Sequence, residues 1–185
     1  MIQSFFWRRT CFVAAAALAS AALLVPLANA RPAAKFTSKV YGYSITLPGQ
    51  SSRWNAHPAI VAWTGTSIGG IGSPSIDTFS DQSTGRSYLL AARRTSSTLG
   101  EWTQFVTRAR ANVCQKPRPV GSSNLGGAAA RVVTWSCSDG YRVYVIAALH
   151  AKRGYFMLVA SPTALSRASD LRALAEARKG FRFRS

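Results

Sequence analysis

Three consecutive segments, Ala128–Cys137, Tyr141–His150 and Tyr155–Ala160, carry the alternation and β-branched content of strands. The second and third are apolar on both sides. In the second, Tyr141, Val143, Val145 and Ala147 share one face and Tyr144, Ile146 and Ala148 the other. A strand with one wet face shows apolar residues on one side only, so strands apolar on both sides belong inside a sheet covered on each face. The rest of the chain must supply that cover. The separators are Ser138-Asp139-Gly140 and Ala151-Lys152-Arg153-Gly154. The Asp-Gly pair predicts a tight hairpin turn with positive φ at both central positions.

Helices are the natural cover. Thr98 and Glu101 have capping-box spacing. Trp102, Phe105, Val106, Ala109 and Val113 then recur at i, i+3, i+4, i+7 and i+11, one apolar stripe. This helix is expected to end near Cys114, before the breaker run Lys116-Pro117-Arg118-Pro119. A second helix is expected from Ser169 through Arg178, with Leu171, Leu174 and Ala175 facing inward and Gly180 as its stop. Phe181 and Phe183 read as a short closing strand.

Upstream, Phe36–Leu47 is strand-like, with Tyr43, Ile45 and Leu47 alternating with polar residues before Pro48-Gly49. Residues 50–58 read as loop, Ile60–Trp63 as a short strand, and 64–75 as a glycine-rich loop. Ser75–Phe79 and Gly85–Arg93 read as two strands joined around Asp81–Gly85.

The first thirty residues have the marks of an export signal: Arg8 and Arg9, an apolar run from Cys11 to Leu27, and Ala28-Asn29-Ala30 as a small-x-small cleavage site. Arg8-Arg9 raises twin-arginine export as an alternative to the general route. Cys11 sits too early in the apolar run for lipid attachment. Cleavage after Ala30 leaves one domain, residues 31–185, with no further apolar run long enough to span a membrane, and the expected product is an extracytoplasmic monomer at the periplasm or cell wall. Removing two arginines lowers the formal charge from +17 to +15, with 21 basic residues against six acidic ones. Such a surface is drawn to anionic wall polymers, lipid headgroups or stray nucleic acid. The recognisable nucleic-acid modules are missing, so no specific nucleic-acid partner is expected.

Cys114 and Cys137 remain after cleavage, and two thiols in an exported domain are expected to form one structural bridge. A redox pair is the alternative, but it lacks a C-x-x-C spacing. The six acids are Asp77, Asp81, Glu101, Asp139, Asp170 and Glu176, and all but Asp77 have an ordinary local role in a turn, cap or helix face. His57 and His150 neighbour no hydrolase or metal motif, so neither catalysis, a metal nor a cofactor is expected. Two candidate surfaces stand out. Arg53, Trp54, His57 and Trp63 beside the glycine-rich loop suit a ligand or sugar site, because an aromatic face stacks on apolar ring surface. Arg93, Arg94, Arg108 and Arg110, with Arg118, suit an anion-binding patch.

The opening Tyr41-Gly42-Tyr43-Ser44-Ile45-Thr46-Leu47-Pro48 run resembles the start of PsbP-like domains, named after an extrinsic photosystem II protein. The later order is also similar: Trp102 in a helix after a hairpin, a strand meander, then a helix ending in Gly180-Phe181-Arg182-Phe183. The resemblance covers nearly all of residues 31–185. It implies an α+β fold in which a central antiparallel sheet of about six strands carries helices on both faces, an α/β/α sandwich. It also implies a binding or accessory domain of the cell envelope with an unknown partner, and no functional residue carries over. Competing classes are an envelope hydrolase or small-ligand or lipid-binding protein using Trp54, His57 and Trp63, and an electrostatic binder of anionic wall polymers.

Overall fold

Tyr43, Ile45 and Leu47 are buried while their neighbours are only partly so, which is the alternation of a half-covered strand. In the computed structural model, which describes residues 33–65, 67–68, 72–109 and 114–184, they lie in β2 (Tyr43–Gln50). Its partners are β1 (Ala33–Thr37) and the C-terminal β10 (Arg182–Phe183), both antiparallel, in a three-stranded sheet ordered β1-β2-β10. The leader with Arg8, Arg9 and Cys11, the candidate Arg110, Val113 and residues 66 and 69–71 of the glycine-rich loop lie outside the described residues.

The large sheet has seven strands. They are β3 (Trp54–His57), β4 (Asp77–Asp81), β5 (Ser87–Arg94), β6 (Arg118–Leu125), β7 (Ala128–Ser136), β8 (Tyr141–His150) and β9 (Arg153–Pro162), ordered β3-β4-β5-β9-β8-β7-β6. Every pairing is antiparallel. The doubly apolar β8 and β9 sit near the centre, as their composition requires.

Both faces are covered. Neighbours in a strand point to opposite sides, so Tyr155 and Phe156 of β9 sample the two faces. Phe156 meets Trp63 edge-on at 4.9 Å, and Trp63 meets Trp102 and Phe105 of α1 (Leu99–Arg108). Trp102 lies directly over Gly154, where an added Cβ would come within 2.4 Å of the indole, and donates its Nε1–H to the Tyr155 carbonyl at 2.9 Å. On the opposite face Tyr155 meets Phe181 and Phe183, and the small sheet together with α2 (Arg167–Gly180) forms that cover. Here Gly180 serves close packing: a Cβ at that position would lie 2.2 Å from the Thr46 carbonyl oxygen of β2. The architecture is therefore an α+β sandwich, with more strands than the six expected.

Several local expectations change. Residues 54–57 form edge strand β3 instead of loop, whereas Ile60 and Val61 are exposed loop residues whose N–H groups both bond the Pro74 carbonyl. Strand β6 grows out of the expected breaker run. The Thr98–Glu101 capping box is present, but α1 stops at Arg108, with Ala109 bonding back to Val106. Cys114 is thereby freed from the helix to pair as an isolated antiparallel bridge with Cys137, to which it is disulfide-bonded. In α2 the buried residues are Asp170, Ala173, Leu174 and Ala177, at i, i+3, i+4 and i+7. Leu171 and Ala175 are rotated out of that stripe and exposed. The two-residue turn with both φ positive falls on Ala151 and Lys152 (46° and 59°), between β8 and β9. In the Asp139-Gly140 turn only Gly140 has positive φ, and Cys137 accepts its N–H, the pattern of a longer hairpin loop.

Candidate functional site

The first turn of α2 is bolted to the large sheet by one buried carboxylate. Asp170 accepts from Arg86 Nη2 at 3.0 Å through Oδ1 and from Arg142 Nη1 at 2.7 Å through Oδ2. Arg86 also donates to Ser161 Oγ and Ser169 Oγ, and Arg142 to the carbonyls of Thr163 and Leu165. Two guanidiniums thus share one anion beneath the helix start. From there α2 runs across the sheet, and a channel stays open between it and the edge strand β6.

That channel consists of two contiguous hollows of ≈ 280 Å³ and ≈ 200 Å³ sharing Val120 and Leu171 on their walls. A β-bulge between Pro119 and Gly121 leaves Val120 without a partner on β7, which re-aims its side chain. Val120 is 48% and Leu171 45% exposed, two of the few large apolar side chains so open to solvent. Val132, Ile146, Leu174 and Ala175 continue the apolar lining of the smaller hollow. Lys116, Arg118 and Arg167 border the larger one, with Arg142 beneath them. At the far end Arg178 donates to Ser123 Oγ. The site is an apolar trough with a basic mouth.

The acids are spent elsewhere. Asp77 accepts from Tyr43 Oη at 2.7 Å and from the Ala59 N–H at 2.8 Å, which supplies the local role its strand position had hidden. Asp81 accepts from Arg53, Ser83 and Thr84. Burial raises its carboxyl pKa, but the Arg53 guanidinium and the Ser83 and Thr84 donors outweigh this and hold it well below the usual carboxylate range. The same bond raises the Arg53 pKa. Glu101 caps α1, and the Thr98 N–H lowers its pKa. Among the described residues the ion pairs are Arg53–Asp81, Arg86–Asp170 and Arg142–Asp170, so Lys116, Arg118 and Arg167 take part in none of them.

The ligand candidates fall in different places. Trp54 donates to the Pro48 carbonyl at 3.0 Å and packs edge-on against Tyr88 at 5.2 Å. Tyr88 pairs with Val159, on the Tyr155 side of the sheet, whereas Trp63 packs on the Phe156 side. The two tryptophans therefore occupy opposite faces. His57 is exposed on edge strand β3, and Arg53 is engaged by Asp81. Of the anion candidates, Arg93 lies over the Phe105 ring at 5.0 Å and donates to the Thr64 carbonyl. Arg94 and Arg108 are exposed. The trough escaped sequence reading because its walls come from a bulged edge strand and from the helix flank beside the buried stripe. The one available signal was Leu171, an apolar residue out of phase with Asp170, Ala173 and Ala177.

No family model matches the chain, and no curated protein matches it. Among solved structures it is similar to the cyanobacterial PsbP (CyanoP) of Synechocystis, with a TM-score of 0.51 at 13% identity over 85% of this chain and 95% of that one. The chain has a PsbP-like fold, as the Tyr41–Pro48 run implied. LpqN of Mycobacterium tuberculosis, described as involved in cell envelope biogenesis, gives 0.47 at 11% identity over 85% and 88%. A Bacteroides thetaiotaomicron protein gives 0.49 at 11% identity over 82% of this chain and 48% of its own, so the chain spans about half of that protein.

Proposed function

We propose that this PsbP-like domain is an exported, non-enzymatic accessory protein of the cell envelope, released by cleavage after Ala30, that holds an anionic component of that compartment. One observation carries the reading: Asp77, Asp81 and Asp170 are turned inward and Glu101 caps a helix, which leaves Asp139 and Glu176 among a far larger number of exposed cations. Asp77, Asp81 and Asp170 are buried and partnered, whereas Lys116, Arg118 and Arg167 stand around an open trough. A surface so unbalanced concentrates polyanions and speeds their encounter. The disulfide between Cys114 and Cys137 supports an oxidising destination. No helix among the described residues is long and apolar enough to cross a membrane. For the non-enzymatic part, the support is that His57 lies on an exposed edge while His150 stacks on Phe183 at 4.0 Å, neither in an ion pair with a carboxylate among the described residues.

The test is to express the full chain in a bacterial host, recover it by fraction, and sequence its N-terminus. The expected product begins at Arg31 in the extracytoplasmic fraction and is retained by immobilised polyglutamate, eluting steeply as salt shortens the screening length. Recovery of an uncleaved cytoplasmic protein, or retention that salt does not change, would overturn the reading.

A further inference from the structure

We infer that the trough between α2 and β6 is a binding site for a single-chain amphiphile with an anionic head. This rests on the reading above and names the ligand class of the same surface. Three features of the trough converge.

The first is the lining. Val120 and Leu171 face the same opening, and Val132, Ile146, Leu174 and Ala175 extend the apolar wall along α2. Exposed aliphatic side chains on both walls of one channel are costly to keep wet, and an alkyl chain laid between them removes that surface from water.

The second is the placement of charge. Lys116, Arg118 and Arg167 gather at one end, none of them in an ion pair among the described residues, whereas the cation at the other end, Arg178, is engaged by Ser123 Oγ. Asp170, at the start of α2, has both of its oxygens engaged by Arg86 and Arg142. The mouth therefore offers guanidinium and ammonium donors to an incoming oxyanion, with guanidinium suited to bidentate capture of phosphate or carboxylate. A polyanion would use the mouth and ignore the trough; a neutral lipid would use the trough and ignore the mouth. Only a molecule with one charged end and one apolar end uses both.

The third is size and rigidity. Hollows of ≈ 280 Å³ and ≈ 200 Å³ laid end to end accommodate one chain, at the lower end of ligand-site volumes. The walls are fixed in advance. Arg86 and Arg142 clamp the start of α2, and a disulfide holds Cys114, two residues before Lys116. A site that need not be ordered on binding loses less affinity to that ordering.

The probe is dodecyl phosphate below its micelle concentration, titrated calorimetrically into the mature protein. Inorganic phosphate represents the head alone, dodecyl maltoside the tail with a neutral head, and anionic vesicles a lipid surface. Saturable one-to-one binding of dodecyl phosphate is expected, with phosphate and the maltoside each at least about tenfold weaker. Leu171→Glu and Val120→Glu should each weaken dodecyl phosphate by about tenfold or more. Arg118→Glu with Arg167→Glu should weaken dodecyl phosphate and leave the maltoside unchanged. All four positions are exposed, so near-UV circular dichroism should be unaltered, and Ile60→Glu, an exposed apolar residue outside the trough, should change nothing. Equal binding of dodecyl phosphate by wild type and the Leu171 and Val120 variants would overturn the inference. So would binding to vesicles alone. If polyglutamate retention persists in either case, the broader reading survives; loss of both ends both.

Discussion

Replacing Asp170 tests whether the junction between α2 and the sheet is held by charge. Its side chain is fully buried, and the two guanidiniums it pairs with, Arg86 and Arg142, are 6% and 11% exposed. Asp170→Ala removes two charge-assisted bonds of 3.0 and 2.7 Å and leaves two cations facing each other in the gap. Breaking a buried pair by deleting one partner costs about 3–5 kcal/mol, chiefly because the remaining charge is stranded. Residual acceptors soften the loss: Arg142 keeps the carbonyls of Thr163 and Leu165, and Arg86 keeps Ser161 Oγ. The expected cost is therefore about 4 kcal/mol. With a urea m-value near 2 kcal/mol/M, the unfolding midpoint should fall by about 2 M. Tm should fall by roughly 10 °C, scaled from 2–4 °C per kcal/mol for a domain of this size. Urea denaturation followed by tryptophan fluorescence reads the midpoint and slope together. The decisive control is the triple variant Arg86→Met, Arg142→Met, Asp170→Leu, which removes every charge in the cluster and should recover most of the loss. A single-variant cost below about 1 kcal/mol, or a triple variant as unstable as Asp170→Ala, would refute the argument.

Tyr88 is completely buried and its hydroxyl has no hydrogen-bond partner among the described residues, so Tyr88→Phe should raise stability by about 1 kcal/mol in the same assay. Ala151 and Lys152 occupy left-handed conformations that favour Asn and Gly, and Ala151→Asn with Lys152→Gly should add about 1 kcal/mol by thermal melting. Gly154→Ala places a methyl group against the Trp102 indole and should cost at least about 2 kcal/mol, with a changed near-UV signal. High pH should unfold the protein through its tyrosines. Burial raises Tyr41 to about 12 and carries Tyr43 and Tyr88 well upward as well. Because the folded-state values exceed the ordinary one near 10, this stabilisation is complete below about pH 10 and is lost as pH rises toward 12 and beyond. Tyrosinate absorbance should lag behind that of the denatured chain over this window; coincident curves would show these hydroxyls to be solvated.

The interior was legible in the sequence, and the margins were not. Strands β8 and β9 announce themselves because burial on both faces selects apolar residues at successive positions. The Thr98–Glu101 cap is equally readable, since its two partners are three residues apart. The β6 segment, Arg-Pro-Val-Gly-Ser-Ser-Asn-Leu, has almost no buried side chain, so its strand state rests on backbone pairing with β7 and leaves no periodic trace. The same reason hid β3. Asp170 looked like an ordinary first-turn acid because Arg142 and Arg86 lie 28 and 84 residues away, and a buried ion pair has no local signature. The trough inherits both blind spots, since one of its walls is β6 and its other wall is positioned by Asp170.

The small sheet has a consequence for the order in which the molecule can be completed. Its middle strand, β2, pairs on one side with the neighbouring β1 and on the other with β10, nearly 140 residues later. Phe181, just ahead of β10, stacks on Tyr43 at 5.1 Å, and Phe183 lies 4.8 Å from Tyr155. A chain that emerges vectorially, from a ribosome or through a pore, forms the β1–β2 hairpin early but must hold its apolar side open until these last aromatics arrive. Closing so long a loop comes late and slowly. The C-terminal phenylalanines thus act as a latch, and a chain truncated before Phe181 would expose the inner faces of both sheets.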